Sequence, residues 1–84
     1  MAGMTKAQRR YLMAFRAFEI IQRDAPIRAI EIVDRLWIEN GIRTSPAKLG
    51  KALLPFVRDD QLVKVAKNDG RYYSVGNQAI DTIH

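Results

Sequence analysis

Lysine and arginine side chains, which neutralise phosphate groups, gather in two stretches of this 84-residue sequence. The first stretch precedes Glu19 without any acidic residue and contains Lys6, Arg9 and Arg10. The second lies between Glu39 and Asp59, again without an acidic residue, and contains Arg43, Lys48 and Lys51. The segment from Arg28 to Glu39 is close to neutral, with Arg28 and Arg35 against three acids. This distribution predicts that one face of the protein meets phosphates.

The overall charge favours the same class of partner. Fourteen Lys and Arg residues stand against nine Asp and Glu, so the formal net charge is +5. Such an excess in a chain of this size favours a polyanionic partner or surface.

Catalysis, metal binding and cofactor binding are not expected. The sequence has no cysteine, and its single histidine is the terminal His84, so the usual zinc ligand sets and a Ser-His-acid triad have too few members. The five glycines form neither a phosphate loop nor a dinucleotide fingerprint. We therefore do not expect an enzyme.

The N-terminal residues predict neither a signal peptide nor a membrane anchor. Polar and basic residues come first, and the apolar residues that follow are interrupted by Arg16 and Glu19. The expectation from sequence is a soluble, cytoplasmic protein.

The first two helices have clear boundaries. Thr5 and Gln8 form a capping-box pattern that predicts a helix over residues 6–23, with its aromatic stripe of Tyr11, Phe15 and Phe18 in the core. Pro26 ends that helix, and Ile27 is expected in a short extended piece. A second helix is predicted over residues 29–40, ended by Gly41, with Trp37 as a structural plug against Ile42.

A third helix is predicted to begin at Ser45-Pro46, an N-cap serine followed by a proline in the first turn. Its apolar stripe faces the core, which leaves Lys48 and Lys51 on a small, basic exposed side. Pro55 predicts a kink or a loosened last turn. The exposed pair Leu54-Pro55 is a candidate protein contact.

A hairpin follows, and its apolar pattern suggests a register. A three-residue loop, Asn68-Asp69-Gly70, pairs Val63 with Val75, Val65 with Tyr73, and Lys67 with Arg71. That register predicts that Lys67 and Arg71 form a basic pair beside the tip. Beyond Val75, residues 77–84 are predicted to form a short helix or tail in which Ile80 and Ile83 pack on the domain or on a second copy.

The residues from 5 to 76 resemble winged helix-turn-helix domains of the MarR and PadR kinds. The resemblance is carried by Ser45-Pro46-Ala47-Lys48-Leu49, by Leu62-Val63-Lys64-Val65 and by Gly70-Arg71-Tyr72-Tyr73-Ser74-Val75. A looser resemblance is to winged-helix modules at the ends of phage and plasmid primase-helicases, which suits a mobile element. It is carried by Trp37, Glu39-Asn40-Gly41, Leu49-Gly50-Lys51-Ala52-Leu53 and Gly70-Arg71-Tyr72.

The resemblance implies an α+β fold that is mainly α, with three helices and a two-stranded wing. It also implies a small double-stranded DNA-binding protein, a transcriptional regulator, with its third helix in the major groove and its wing on the backbone or minor groove. By position, the DNA contacts would be Arg43, Thr44, Ser45, Lys48, Lys51, Lys67 and Arg71, with additional phosphate contacts from Lys6, Arg9 and Arg10.

Two further arrangements stay open at this point. The chain could form a homodimer, through its first helix or its tail. Alternatively, the domain could be a protein-protein interaction module of a phage, plasmid or replication complex, with contacts through Leu54, Pro55, Ile80 and Ile83.

Overall fold

Helices make up most of the structure, a computed structural model that describes residues 3–76. Helix α1 spans Lys6–Asp24, α2 spans Ala29–Asn40, and α3 spans Pro46–Arg58. Strands β1 (Ile27–Arg28), β2 (Leu62–Lys67) and β3 (Gly70–Val75) form an antiparallel sheet in the order β1-β3-β2. The predicted α+β class, mainly α, is confirmed. The predicted C-terminal helix with Ile80 and Ile83 lies outside the described residues.

Local capping explains where the helices begin and end. The Thr5 hydroxyl accepts a hydrogen bond from the Gln8 amide at 3.1 Å, and the Gln8 side chain accepts one from the Thr5 amide at 2.9 Å. Helix α2 ends at Gly41, which has a φ of 66°, a left-handed conformation that suits a residue without a Cβ. The Ser45 hydroxyl accepts from the Lys48 amide at 3.3 Å and so starts α3. The predicted helix boundaries are therefore close to those observed.

The core lies between the three helices and the inner side of the sheet. Its largest fully buried side chains are Ile21, Ile32, Leu36, Leu49, Leu53, Leu62 and Tyr73. Burying an aliphatic or aromatic side chain of this size stabilises the fold by roughly 1.5–3 kcal/mol.

Across the described residues, no helix has both the length and the apolar character needed to cross a bilayer.

Three aromatic residues predicted to be buried are exposed instead. Tyr11 is 70% exposed and Phe15 is 46% exposed, because α1 turns a different stripe toward the core, in which Ala14 and Ala17 allow close helix contacts. Trp37 is 50% exposed and is not the predicted plug. Of the predicted aromatic stripe, only Phe18 packs against the core.

The sheet also differs from the predicted two-stranded wing. Strand β1 pairs with β3, and this places Ile27 opposite Tyr73. On the other side of β3, Leu62 pairs with Val75 and Lys67 pairs with Gly70, so the predicted register is wrong by one residue. A one-residue shift moves every side chain to the other face of a strand. Val63 and Val65 consequently point outward, while Leu62 is buried.

Pro55 lies inside α3, and the helix continues through it to Arg58. Helix α3 therefore presents a continuous exposed side over its whole length.

A network of ion pairs joins the end of α1 to the end of α2. Arg23 contacts Glu39 at 2.8 Å and Asp24 at 2.9 Å, and Arg35 also contacts Asp24. Hydrogen bonds from Arg23 hold the pKa values of Glu39 and Asp24 below their ordinary values. The ion pairs therefore stabilise the fold above about pH 4, which is near the pKa of an unperturbed carboxyl. This contribution is lost as the pH falls through the lower pKa values of the folded state.

We expect the melting temperature to fall on acidification below about pH 4 in the wild type, and to fall less steeply in Arg23→Gln, in which these carboxyls lose their main partner. Melting curves followed by circular dichroism between neutral and acidic pH measure this. Equal slopes for the two proteins would contradict a role for the network.

Two glycines give a second test of the fold. A Cβ on Gly76 would overlap the backbone carbonyl of Asp60, whereas a Cβ on Gly50 would meet only side-chain atoms of Tyr73 and Arg71, at 3.8 and 3.9 Å. We expect Gly76→Ala to destabilise the protein by about 1–3 kcal/mol. The matched variant Gly50→Ala should stabilise it by about 0.5–1 kcal/mol, because glycine is unfavourable inside a helix. Urea denaturation measures both, and destabilisation by Gly50→Ala would contradict the observed packing.

Candidate nucleic-acid interface

A groove between α1 and α3 unites the two basic stretches of the sequence. It has a volume of about 680 Å³ and extends from the first turns of α1, past the turn that precedes α3, to the first turns of α3. Its basic lining residues are Lys6, Arg9, Arg10, Arg43, Lys48 and Lys51. We call this feature the basic groove. The structure thus brings together, in one place, six predicted phosphate contacts that come from two separate parts of the chain.

Helix starts and helix packing position these cations. The capping box at Thr5 begins α1 immediately before Lys6, so the cations of α1 fall in its first turns. The cap at Ser45 begins α3 just before Lys48, and Lys51 follows one turn later. The rings of Phe18 and Phe56 stack at 5.2 Å between centroids, which joins α1 to α3. The basic groove therefore depends on core packing as well as on local sequence.

The electrostatics of the basic groove are one-sided. Its lining contains no acidic residue. The ion pairs among residues 3–76 use other arginines, namely Arg16, Arg23, Arg28 and Arg35. The six groove cations are consequently available to an external anion, and a chain of phosphates is the polyanion that matches an elongated groove.

Thr44 and Arg43 stand where the groove meets α2. The Thr44 hydroxyl is buried and has no hydrogen-bond partner among the described residues. The Arg43 guanidinium lies 4.5 Å from the centroid of the Trp37 ring, a cation-π contact. Ser45, in contrast, already uses its hydroxyl to cap α3. Of the two predicted hydroxyl contacts, Thr44 is the one that lacks an internal partner.

The wing cations do not form the predicted tip pair. In the observed register Lys67 pairs with Gly70 and Arg71 pairs with Ala66, so the two side chains belong to opposite faces of the hairpin. The Lys67 ammonium lies 5.0 Å from the centroid of the Tyr72 ring on the outer face. Arg71 lies instead toward Gly50 of α3. The single-residue shift of register separates these side chains.

Arg71 lines a second pocket, on the side of α3 that faces the wing. This pocket has a volume of about 380 Å³ and is lined by Arg28, Ala29, Ile30, Pro46, Ala47, Asp69, Gly70 and Arg71. Arg28 was not among the predicted contacts, because its position beside the hairpin follows from the pairing of β1 with β3, which was not predicted. Helix α3 therefore has cations on both flanks.

The pair Leu54-Pro55, a candidate protein contact from the sequence, lies at the surface. Leu54 is 37% exposed on α3, and its neighbour Pro55 is exposed too.

No three histidine, cysteine or carboxylate side chains converge into a metal-binding group within residues 3–76. Neither the protein-family models nor the curated proteins that were compared with this chain gave a match.

The unpaired Thr44 hydroxyl leads to a stability prediction. A buried polar group without a partner costs about 1–3 kcal/mol, so Thr44→Val should leave the free energy of unfolding unchanged or raise it. Thr5→Val is the matched control, since the Thr5 hydroxyl caps α1 and its removal should cost about 1 kcal/mol. Urea denaturation compares the two. Equal destabilisation by both variants would show that the Thr44 hydroxyl has a partner in the free protein.

Proposed function

We propose that this protein binds double-stranded DNA as a winged helix-turn-helix domain and acts as a transcriptional regulator. The observation that carries the proposal is the basic groove, in which six cations from two distant segments meet in a lining that contains no acidic residue. Duplex DNA carries a negative charge about every 1.7 Å along its axis, so a row of cations of this kind suits its backbone.

The order of elements supports this domain type. The chain runs helix, strand, helix, helix, strand, strand, and the last strand lies in the middle of the sheet. In a winged helix-turn-helix domain the third helix is the one that enters DNA and the hairpin is the wing. Here α3 is followed directly by the β2–β3 hairpin, as that arrangement requires.

The dimensions and surface of α3 suit the major groove. Thirteen residues at 1.5 Å each give a helix about 20 Å long, and a major groove about 12 Å wide admits a helix. The exposed side of α3 carries the small residue Ala47 together with Lys51 and Arg58, so the helix can approach closely. Cations flank it on both sides, in the basic groove and at Arg71.

Contacts to the backbone dominate the proposed complex. Lysine and arginine contacts to phosphates carry no sequence information, and the exposed side of α3 has no asparagine or glutamine, the side chains that read adenine. We therefore propose affinity for duplexes in general, with a modest preference for sequence.

A protein-interaction module is the second candidate, and one observation favours it. Leu54 and Pro55 are exposed in the C-terminal half of α3, where an apolar partner could pack. In that arrangement Leu54→Asp would abolish capture of a protein partner after nuclease treatment, and Lys48→Ala would have little effect.

The proposed duplex contact predicts a steep dependence on salt. If the six groove cations neutralise phosphates, the logarithm of the binding constant should fall against the logarithm of salt concentration with a slope of about −5. Lys48→Ala with Lys51→Ala should reduce the steepness of that slope by about 2, because two phosphate contacts are lost. Fluorescence anisotropy of a labelled duplex across a salt series measures both slopes.

Arg16→Ala is the matched control for this experiment. Arg16 is exposed on α1, pairs with Glu19 at 3.0 Å and does not line the basic groove, so its removal should leave the slope unchanged. No binding of any duplex at low salt would contradict the proposed function. Equal effects of Arg16→Ala and the double variant would show that net charge, and not the groove, determines binding.

A further inference from the structure

We propose that the protein has a second nucleic-acid site, in which an unpaired base stacks on Trp37 while its phosphate is held at the adjoining end of the basic groove. This site does not require duplex binding. Its ligand is a nucleotide in a single strand, a loop or an extruded position, in DNA or RNA.

Trp37 offers the stacking surface. It is half exposed, although burial of so large a side chain would stabilise the fold further. It borders a pocket of about 300 Å³ that is lined by Val33, Asp34, Trp37, Ile42, Arg43 and Thr44. Every nucleobase has an aromatic face, so an exposed indole beside a cation is a general platform for unpaired bases.

The pocket is continuous with the basic groove. Ile42, Arg43 and Thr44 line both, so a phosphate attached to the stacked base would lie where the groove cations begin. The Arg43 guanidinium lies over one face of the Trp37 ring, which leaves the other face for a base and places a cation beside it that can hold the attached phosphate. The unpartnered Thr44 hydroxyl lies at this junction, since Thr44 lines both the pocket and the groove.

Asp34 sets the orientation of the nucleotide in this site. It is exposed, lines the Trp37 pocket but not the basic groove, and takes part in no ion pair within residues 3–76. A carboxylate repels phosphate but accepts hydrogen bonds from the amino group of cytosine. The base end of the nucleotide therefore lies at Asp34 and its phosphate end at Arg43. Thymine has no amino group, so cytosine should bind more tightly than thymine.

Tryptophan fluorescence gives a direct test, because Trp37 is the only tryptophan in the chain. The protein is titrated with three single strands of about ten nucleotides: oligodeoxycytidylate, oligodeoxythymidylate and the RNA oligocytidylate. A blunt-ended hairpin duplex is titrated for comparison. We expect strong quenching by single strands, tighter binding of cytosine than of thymine, and weak quenching by the duplex. The DNA and RNA arms show which kind of strand is preferred.

Three variants assign the effect to stacking. Trp37→Leu keeps an apolar side chain but removes the aromatic face, and should weaken binding of labelled single strands at least about fivefold. Trp37→Phe should restore most of the affinity. Ile38→Ala is the matched control, because Ile38 is 76% exposed on the same helix and does not line the pocket. It should bind single strands as the wild type does.

The outcomes separate this site from the duplex contact. Trp37→Leu should reduce duplex affinity much less than Lys48→Ala with Lys51→Ala does, since it leaves all six groove cations in place. Absence of quenching by every single strand, or unchanged single-strand affinity in a folded Trp37→Leu protein, would overturn the second site and leave the duplex proposal intact. Equal quenching by duplex and single strands would also overturn the second site. The quenching would then report phosphates near Trp37 and not a base stacked on its ring.

Discussion

The packing of α1 against α3 is the contact on which the candidate interface depends. Phe18 stacks on Phe56, and Ala17 and Leu53 are fully buried, so the two helices meet through small and large apolar side chains. This contact brings the first turns of α1 beside the first turns of α3, although they are far apart in the sequence. Neither helix alone carries enough cations to form the basic groove.

Collecting like charges in one groove has an energetic cost. Two like charges about 8 Å apart repel by about 0.5 kcal/mol in water, and cations in the first turn of α1 also oppose the helix dipole. Two of the acidic residues, Asp24 and Glu39, pair with Arg23 and do not line the groove. A bound phosphate backbone would offset this repulsion, because its negative charges attract the groove cations. The separation of paired from unpaired cations is thus the physical basis of the proposed function.

Helix ends were predicted from the sequence more accurately than contacts between distant parts of the chain. Thr5, Gly41 and Ser45 marked helix ends correctly because capping depends only on neighbouring residues. The hairpin register was wrong because β2 contains two alternative apolar sets, and the choice between them depends on β1, which pairs with β3 from a distant part of the sequence. The exposure of Trp37 likewise depends on which residues its helix meets in three dimensions. The two basic stretches were expected on one face from their distribution in the sequence, but the groove that joins them depends on the packing of α1 against α3.

The most direct test of the basic groove is an NMR titration of the isotope-labelled protein with an unlabelled duplex. We expect the amide resonances of residues 6–10 and 43–51 to shift or broaden together, while those of residues 16–22 of the same first helix change little. Changes confined to the hairpin, or spread evenly over the protein, would contradict the claim that the groove between α1 and α3 faces the DNA.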